Sequence, residues 1–324
     1  MSKKTAVIMF NLGGPDNLDA VKPFLFNLFY DPAIITLPNP FRWLIAKSIS
    51  AKRAPIAREI YKKIGNKSPI VEETEKQRLA LETTLNKSSS NDYKCFFFMR
   101  YWHPLARDVV NEVKSYEPDE IILLPLYPQY SVTTTGTGLI EWNKWAKKNN
   151  LNAPYRVIKD YPDHDFFVET IASMIKEKTK NINNISEYRL LLSAHGLPKK
   201  TIDSGDLYQK HVEMTCAALM KKFDHENIDH VICYQSRVGP MEWIGPSTDA
   251  EIERAAFDGK NIIMVPVAFV SEHSETLVEL DIEYKELAKK LAIKDYIRID
   301  TVSDRQCFID GLSELVLQNR ILDD

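Results

Sequence analysis

The segment Leu190-Leu191-Leu192-Ser193-Ala194-His195-Gly196-Leu197-Pro198 runs from three aliphatic residues into a loop with one histidine among small residues. An unbroken apolar run bounded in this way is the pattern of a strand covered on both faces, and such strands build parallel sheets. The same grammar recurs on either side. Residues 6–10, 95–99 and 121–126 are apolar runs that lead into polar or Gly/Pro loops at 11–15, 100–104 and 127–131. Residues 231–233 and 262–269 do the same, leading into 234–240 and 270–273. Between them lie stretches of helical period at 106–115, 164–178, 209–223 and 249–257. Strand and helix in alternation predict an α/β fold with parallel sheets. The two sets predict two similar doubly wound, Rossmann-like lobes, residues 1–150 and 151–302, joined near 149–154 with a cleft between them. A last helix within 303–324 is expected to pack back on the first lobe. In open parallel sheets ligands bind beyond the carboxyl ends of the strands, and every loop named above lies at such an end.

Composition narrows the function classes. The 324 residues include 42 Lys plus Arg and 45 Asp plus Glu, a formal net charge of −3, with 44% hydrophobic and 27% charged residues. That is globular composition, and a pI of about 6.2 lacks the basic footprint of a nucleic-acid binder. The longest apolar run, residues 262–270, contains Pro266 and is far short of the roughly 20 residues a membrane-spanning helix needs. Cys95, Cys216, Cys233 and Cys307 are widely spaced with no CxxC pair, so reduced, mostly buried thiols are expected. The start, Met1-Ser2-Lys3-Lys4, runs directly into an apolar segment without the pattern of an export signal. The expectation is a cytoplasmic protein.

Four constellations bear on chemistry. Gly136-Thr137-Gly138-Leu139-Ile140-Glu141 puts a carboxylate where a dinucleotide fingerprint needs a small residue, and no Walker lysine pattern occurs, which argues against nucleotides. His195 stands at a strand's carboxyl end; there neutral imidazole accepts a proton or ligates a borderline metal through the same lone pair, unless it is simply a core histidine. From Ser271, a plausible N-cap, the residues Glu272, Glu275, Glu279, Glu283 and Glu286 fall within an arc of roughly 80° at α-helical winding. Leu277, Leu280, Tyr284 and Leu287 make the opposite face. Such a stripe is either a solvated outer face or a path for protons or a hard cation. Finally, residues 24–30 and 40–45 are rich in Phe, Leu, Tyr and Trp. They serve either as helix core or as an apolar lip that admits a flat hydrophobic ligand and touches a membrane.

Taken in order, the loops resemble those of ferrochelatases, which insert ferrous iron into a porphyrin. The matching stretches are Asn11 to Pro15, Ser68-Pro69-Ile70, Arg100-Tyr101 with His103-Pro104-Leu105, and Tyr127 to Ser131 with Thr134-Thr135-Gly136. Ser193 to Pro198, Gln235 to Pro240 with Gly245-Pro246, and Ser271-Glu272-His273 with Glu275-Thr276-Leu277 complete the series. The resemblance implies a two-lobed chelatase fold and insertion of Fe2+ into protoporphyrin IX as the last step of haem synthesis, with release of two protons. It implies that His195 and Glu275 flank the porphyrin centre and serve metal binding and proton removal. Glu272 and Glu279 would extend a proton or metal path on a helix with a π-type widening. Arg53, Tyr61 and Ser68 match positions that hold the porphyrin propionates, a role suited to guanidinium and hydroxyl donors. Arg100, Tyr101 and Tyr127 match pocket residues, and Leu12 stands where several relatives carry a pocket Met. No permanently bound cofactor and no iron–sulfur cluster are expected, since the cysteine-bearing extension of some relatives has no counterpart before Asp324. The expected partners are the two substrates, with no nucleic acid and with peripheral membrane contact through the lip. The rivals are a chelatase for coproporphyrin or for cobalt or nickel, a non-catalytic tetrapyrrole carrier and, weakest, a nicotinamide oxidoreductase.

Overall fold

The computed structural model describes residues 3–223, 228–237, 239 and 241–320. The chain divides into two compact units, one running up to residue 127 and including 131–160 and the segment from 303 on, the other comprising 128–130 and 161–302. The first contains β1 (Lys4–Asn11), α1 (Val21–Tyr30), α2 (Phe41–Lys62), α3 (Ile70–Ser88), β2 (Asp92–Met99), α4 (Ala106–Tyr116) and β3 (Glu120–Pro125). A π-helical turn (Val132–Gly136) then runs into α5 (Thr137–Lys148), followed by β4 (Tyr155–Val157). The second unit contains α6 (Asp165–Thr179), β5 (Tyr188–His195), α7 (Lys199–Asp203), α8 (Tyr208–Lys221), β6 (Asp229–Gln235), α9 (Thr248–Phe257) and β7 (Asn261–Pro266). A π helix (Glu275–Glu283) continues as α10 (Tyr284–Lys290), and β8 (Tyr296–Arg298) closes the unit. The last helix, α11 (Gln306–Gln318), belongs to the first unit and packs on α3, where Gln77 Nε2 donates to the Ser303 carbonyl at 3.0 Å.

Each unit is built on a four-stranded sheet, in the orders β2-β1-β3-β4 and β6-β5-β7-β8, and every pairing is parallel. The two orders are the same arrangement repeated. The middle of β1 is apolar because both faces are covered: Ala6, Ile8 and Phe10 are buried, and so are Val7 and Met9 between them. On one face α4 lays down Ala106, Val109, Val110 and Val113, the i, i+3, i+4, i+7 spacing of a core-facing helix. Trp142 of α5 stacks on Phe98 at 5.9 Å. In the second unit Leu191, Cys233, Ile262 and Met264 pack beneath Ile252 and Ala255 of α9, with Leu280 and Ala288 from the π helix and α10. Burying each such aliphatic side chain contributes about 1.5–3 kcal/mol.

Two short strands differ from the sequence expectation. β4 and β8 are three residues each and only partly buried; as sheet edges they carry no long apolar run to betray them. Because β4 pairs with β3, the first unit extends to residue 160 rather than 150, and residues 128–130 join the second unit. There Gln129 Nε2 donates to Thr215 Oγ1 at 2.8 Å and to the Val267 carbonyl at 3.0 Å. Cys95, Cys216 and Cys233 are free thiols and buried, and Cys307 is exposed. No described helix is long and apolar enough to cross a membrane.

Candidate active site

His195 is the last residue of β5, where the sheet stops and the backbone turns away. The turn is tight: Gly196 N–H donates to the Gln235 carbonyl at 2.8 Å, and a Cβ on Gly196 would stand 2.8 Å from that same oxygen. Only glycine lets the two strand ends approach this closely. The His195 imidazole is about one-third exposed, and its Nδ1 lies 2.9 Å from Glu275 Oε2. An ionised carboxylate only accepts, so Nδ1 carries the hydrogen and the neutral ring keeps its lone pair on Nε2. The structure thus hydrogen-bonds the two residues directly.

Glu275 opens the π helix, where a negative side chain is favoured by the helix N-terminus. Its Oε2 also lies 3.6 Å from His273 Nε2, while His273 Nδ1 donates to the Ser271 carbonyl at 3.0 Å. One turn on, Glu279 Oε1 accepts from Ser236 N at 2.8 Å and Tyr284 Oη at 3.2 Å. Its Oε2 accepts from Gln235 Nε2 at 2.9 Å and Ser236 Oγ at 2.5 Å. Gln235 is buried and oriented by Ser193 Oγ, which donates to its Oε1 at 2.8 Å, so its amide nitrogen also reaches the Glu275 carbonyl at 3.1 Å.

These contacts set the charges. Burial disfavours the His195 imidazolium, but the Glu275 carboxylate, its hydrogen bond and the charge of Glu279 outweigh it and raise the pKa above the ordinary value. For Glu275, burial is outweighed by His195 and His273, and its carboxyl is held well below the usual range. Glu279 moves the other way: burial and the neighbouring Glu275 charge raise it, against the donors from Ser236 and Gln235. Two carboxylates one helical turn apart are thus driven to different proton affinities, the arrangement that lets one stay ionised while its neighbour takes up a proton.

The expected acidic stripe has three different fates. Ser271 is not the cap: Ser274 holds the N-cap position in helical conformation, and the helix begins at Glu275. Glu272 therefore lies ahead of the helix. Its Oε1 accepts from Arg298 Nη1 at 2.6 Å and Thr301 N at 2.9 Å, and its Oε2 from Thr276 Oγ1 at 2.5 Å. Glu272 is thereby tied to Arg298, Thr301 and Thr276 ahead of the helix. Glu283 and Glu286 are exposed. The π winding that the resemblance implied is present. Leu280, Tyr284 and Leu287 pack with Leu191, Ile262 and Met264 of the sheet, while the Tyr284 hydroxyl reaches back to Glu279.

The remaining expected residues lie in the first unit. Leu12 follows β1, Arg100 and Tyr101 follow β2, Tyr127 follows β3, Arg53 and Tyr61 are on α2, and Ser68 precedes α3. Leu12, Tyr61 and Tyr101 share an apolar cluster with Phe24, Leu25 and Ala54. The Arg53 guanidinium lies 5.9 Å from the centre of the Phe29 ring. Tyr61 and Ser68 are each 6% exposed and Tyr101 0%. Tyr101 is therefore corrected from pocket lining to support. Its hydroxyl donates to Asp31 Oδ2 at 2.9 Å, the oxygen that also accepts from Arg100 Nη2 at 2.5 Å and Thr137 Oγ1 at 2.6 Å. Arg100 Nε donates to Thr137 Oγ1 at 2.9 Å, closing the network. Of the matching stretches, Val238 and Pro240 lie outside the described residues. Asp31 and Arg298 had no signal in the sequence; Gln235, Ser236 and His273 stood inside matched loops without an assigned role. Among the described residues no group of three or more His, Cys, Asp or Glu forms a metal cage.

The sequence model of the ferrochelatase family matches residues 4–320. The chain belongs to the ferrochelatase family. It is 49% identical over 316 residues to a ferrochelatase of Pelagibacter ubique, covering 97% of this chain and 91% of that one. It is 50% identical to one from Wolbachia sp. subsp. Drosophila simulans, covering 97% and 99%. Among solved structures it is similar to SirB from Bacillus subtilis with Fe3+, at a TM-score of 0.56 and 10% identity over 98% of this chain and 95% of that chain. A sirohydrochlorin chelatase SirB from Bacillus subtilis subspecies spizizenii in complex with cobalt gives a TM-score of 0.58 at 9% identity, covering 98% and 95%. At such identities these two likenesses speak for the fold alone.

Proposed function

We propose that this chain inserts Fe2+ into protoporphyrin IX, with His195 and Glu275 as the reacting pair. The observation that carries the reading is the 2.9 Å bond from His195 Nδ1 to Glu275, which fixes the tautomer and leaves Nε2 as the base. The free-base ring gives up two pyrrole protons as its four nitrogens take the ferrous ion, and no electron changes hands. A flat macrocycle hides its nitrogen lone pairs, so binding that favours a bent ring lowers the barrier. Neutral His195 accepts a pyrrole proton at Nε2, and the ionised Glu275 stabilises the imidazolium. Glu279, with its raised proton affinity, is the next group along the helix able to hold a proton. Imidazole nitrogen and carboxylate oxygen are also the donors a divalent ion in transit needs before the porphyrin supplies four more.

Arg53, Tyr61 and Ser68 are assigned to the propionates, and Leu12, Arg100 and Tyr127, none fully buried, to the ring. No resident cofactor takes part. The enzyme is assigned to the cytoplasm. Of the expected lip, Phe24 and Leu25 are buried while Phe41, Trp43 and Leu44 expose apolar surface beside Lys47, which supports peripheral contact with a membrane through residues 41–44.

The test is an anaerobic absorbance assay with purified protein, Fe2+ and protoporphyrin IX, run beside coproporphyrin. Wild type is expected to form haem, and His195→Ala to form none while still quenching porphyrin fluorescence. A spectral shift without haem would make the protein a carrier, and wild-type turnover in His195→Ala would remove the histidine from the reaction.

A further inference from the structure

Arg298, at the end of edge strand β8 and only 8% exposed, joins several groups around the reacting segment. Its guanidinium grips Asp281 in fork geometry, Nε to Oδ1 at 2.8 Å and Nη2 to Oδ2 at 2.5 Å. Its third nitrogen, Nη1, donates to Glu272 Oε1 at 2.6 Å and lies 3.7 Å from Asp300 Oδ1. Asp281 is inside the π helix and Glu272 lies just ahead of it, so one planar cation holds both sides of the segment that carries Glu275 and Glu279.

A π helix is rare because its i→i+5 winding is intrinsically poorer than α winding. Something must select it. Over the six steps from Glu275 to Asp281, rewinding to α geometry would turn Asp281 by roughly 100° relative to Glu275. The fork to Arg298 would then be lost. At Glu279 the donors from Gln235 and Ser236 hold the inner face of the same turn. Arg298 holds it through Asp281 and Glu272.

We propose that Arg298, through Asp281 and Glu272, is a positioning residue that fixes the π winding and thereby keeps Glu275 on His195 and Glu279 on Gln235 and Ser236. The inference rests on the reading of His195 and Glu275 as the reacting pair. Lysine offers one compact charge where two carboxylates need a rigid fork. In Arg298→Lys, kcat for Fe2+ insertion should therefore fall at least tenfold, well below the unfolding midpoint of the variant. Porphyrin affinity by fluorescence quenching should stay within about twofold. Asp281→Asn should do the same, and the double variant should be no worse than either single change, because the residues act as one unit. A crystal structure of Arg298→Lys should show residues 275–283 rewound toward α geometry. Should Arg298→Lys fail to fold, Asp281→Asn carries the same kinetic and structural readouts.

A variant that is merely less stable, with wild-type kcat and unchanged winding, would overturn the inference. Glu275→Gln is the discriminating control: full activity there sinks the reacting-pair reading and this inference with it. An inactive Glu275→Gln beside a fully active Arg298→Lys sinks the inference alone.

Discussion

Gln235→Leu offers a quantitative test of how the site is held together. Gln235 is 1% exposed and spends its amide on three partners: the Ser193 hydroxyl at 2.8 Å, the Glu279 carboxylate at 2.9 Å and the Glu275 carbonyl at 3.1 Å. The bond to the carboxylate is the large one, about 1.5–3 kcal/mol, and each neutral bond contributes about 0.5–1.5 kcal/mol. Leucine nearly fills the same volume, and its added apolar surface returns about 1–2 kcal/mol. The losses are softened in two places. Glu279 keeps Ser236 and Tyr284, and Ser193 keeps Thr248 at 3.3 Å. The net expectation is a destabilisation of about 2–4 kcal/mol, read from urea unfolding at neutral pH. Ser193→Ala, which removes the neutral bond to Gln235 and the 3.3 Å contact with Thr248, should cost about 1–2 kcal/mol. A loss below about 1 kcal/mol for Gln235→Leu, or equal losses for the two variants, would show that the amide does not carry the load assigned to it.

Two further outcomes follow from the charges. The Glu275 charge raises His195, so the neutral base appears only as pH climbs through that raised value. Glu275→Gln should move the acidic limb of the pH–rate profile to lower pH while lowering its plateau, and a limb that stays put or moves upward refutes the coupling. The same pair stabilises the fold most between the ordinary glutamate and histidine values of 4.5 and 6.5. That stability fades above as the imidazolium loses its proton and below as the carboxylate gains one. In the first unit, Asp31→Asn leaves the Arg100 guanidinium, 16% exposed, without its carboxylate. Breaking a buried pair from one side costs about 3–5 kcal/mol, and a change under about 1 kcal/mol in urea unfolding would show that the pair is not load-carrying.

Much of the fold was legible because the physics that makes the strands also marks the sequence. Residues 121–126 and 190–192 are uniformly apolar because helices cover both faces of their sheets, and α4 announces itself by the spacing of Ala106, Val109, Val110 and Val113. β4 and β8 were not legible: an edge strand of three exposed or half-buried residues needs no apolar pattern. The acidic stripe was counted at 100° per residue, a winding the segment does not adopt. Glu272 lies ahead of the helix and bonds Arg298, and Tyr101 is turned inward to Asp31.

The sequence alone determined which residues had to be covered and which loops stood at strand ends, since burial and strand period are properties of neighbours along the chain. Its ordered motifs determined the family, and the resemblance implied His195 and Glu275 as the pair to look for. Only the tertiary structure decided that these two, 80 residues apart, lie 2.9 Å from each other. Only it decided that an arginine on an edge strand holds the helix that brings them together. Contacts of that kind are set by how sheets and helices stack. Hydrogen bonds and ion pairs act over a few ångströms, and no spacing along the chain encodes them.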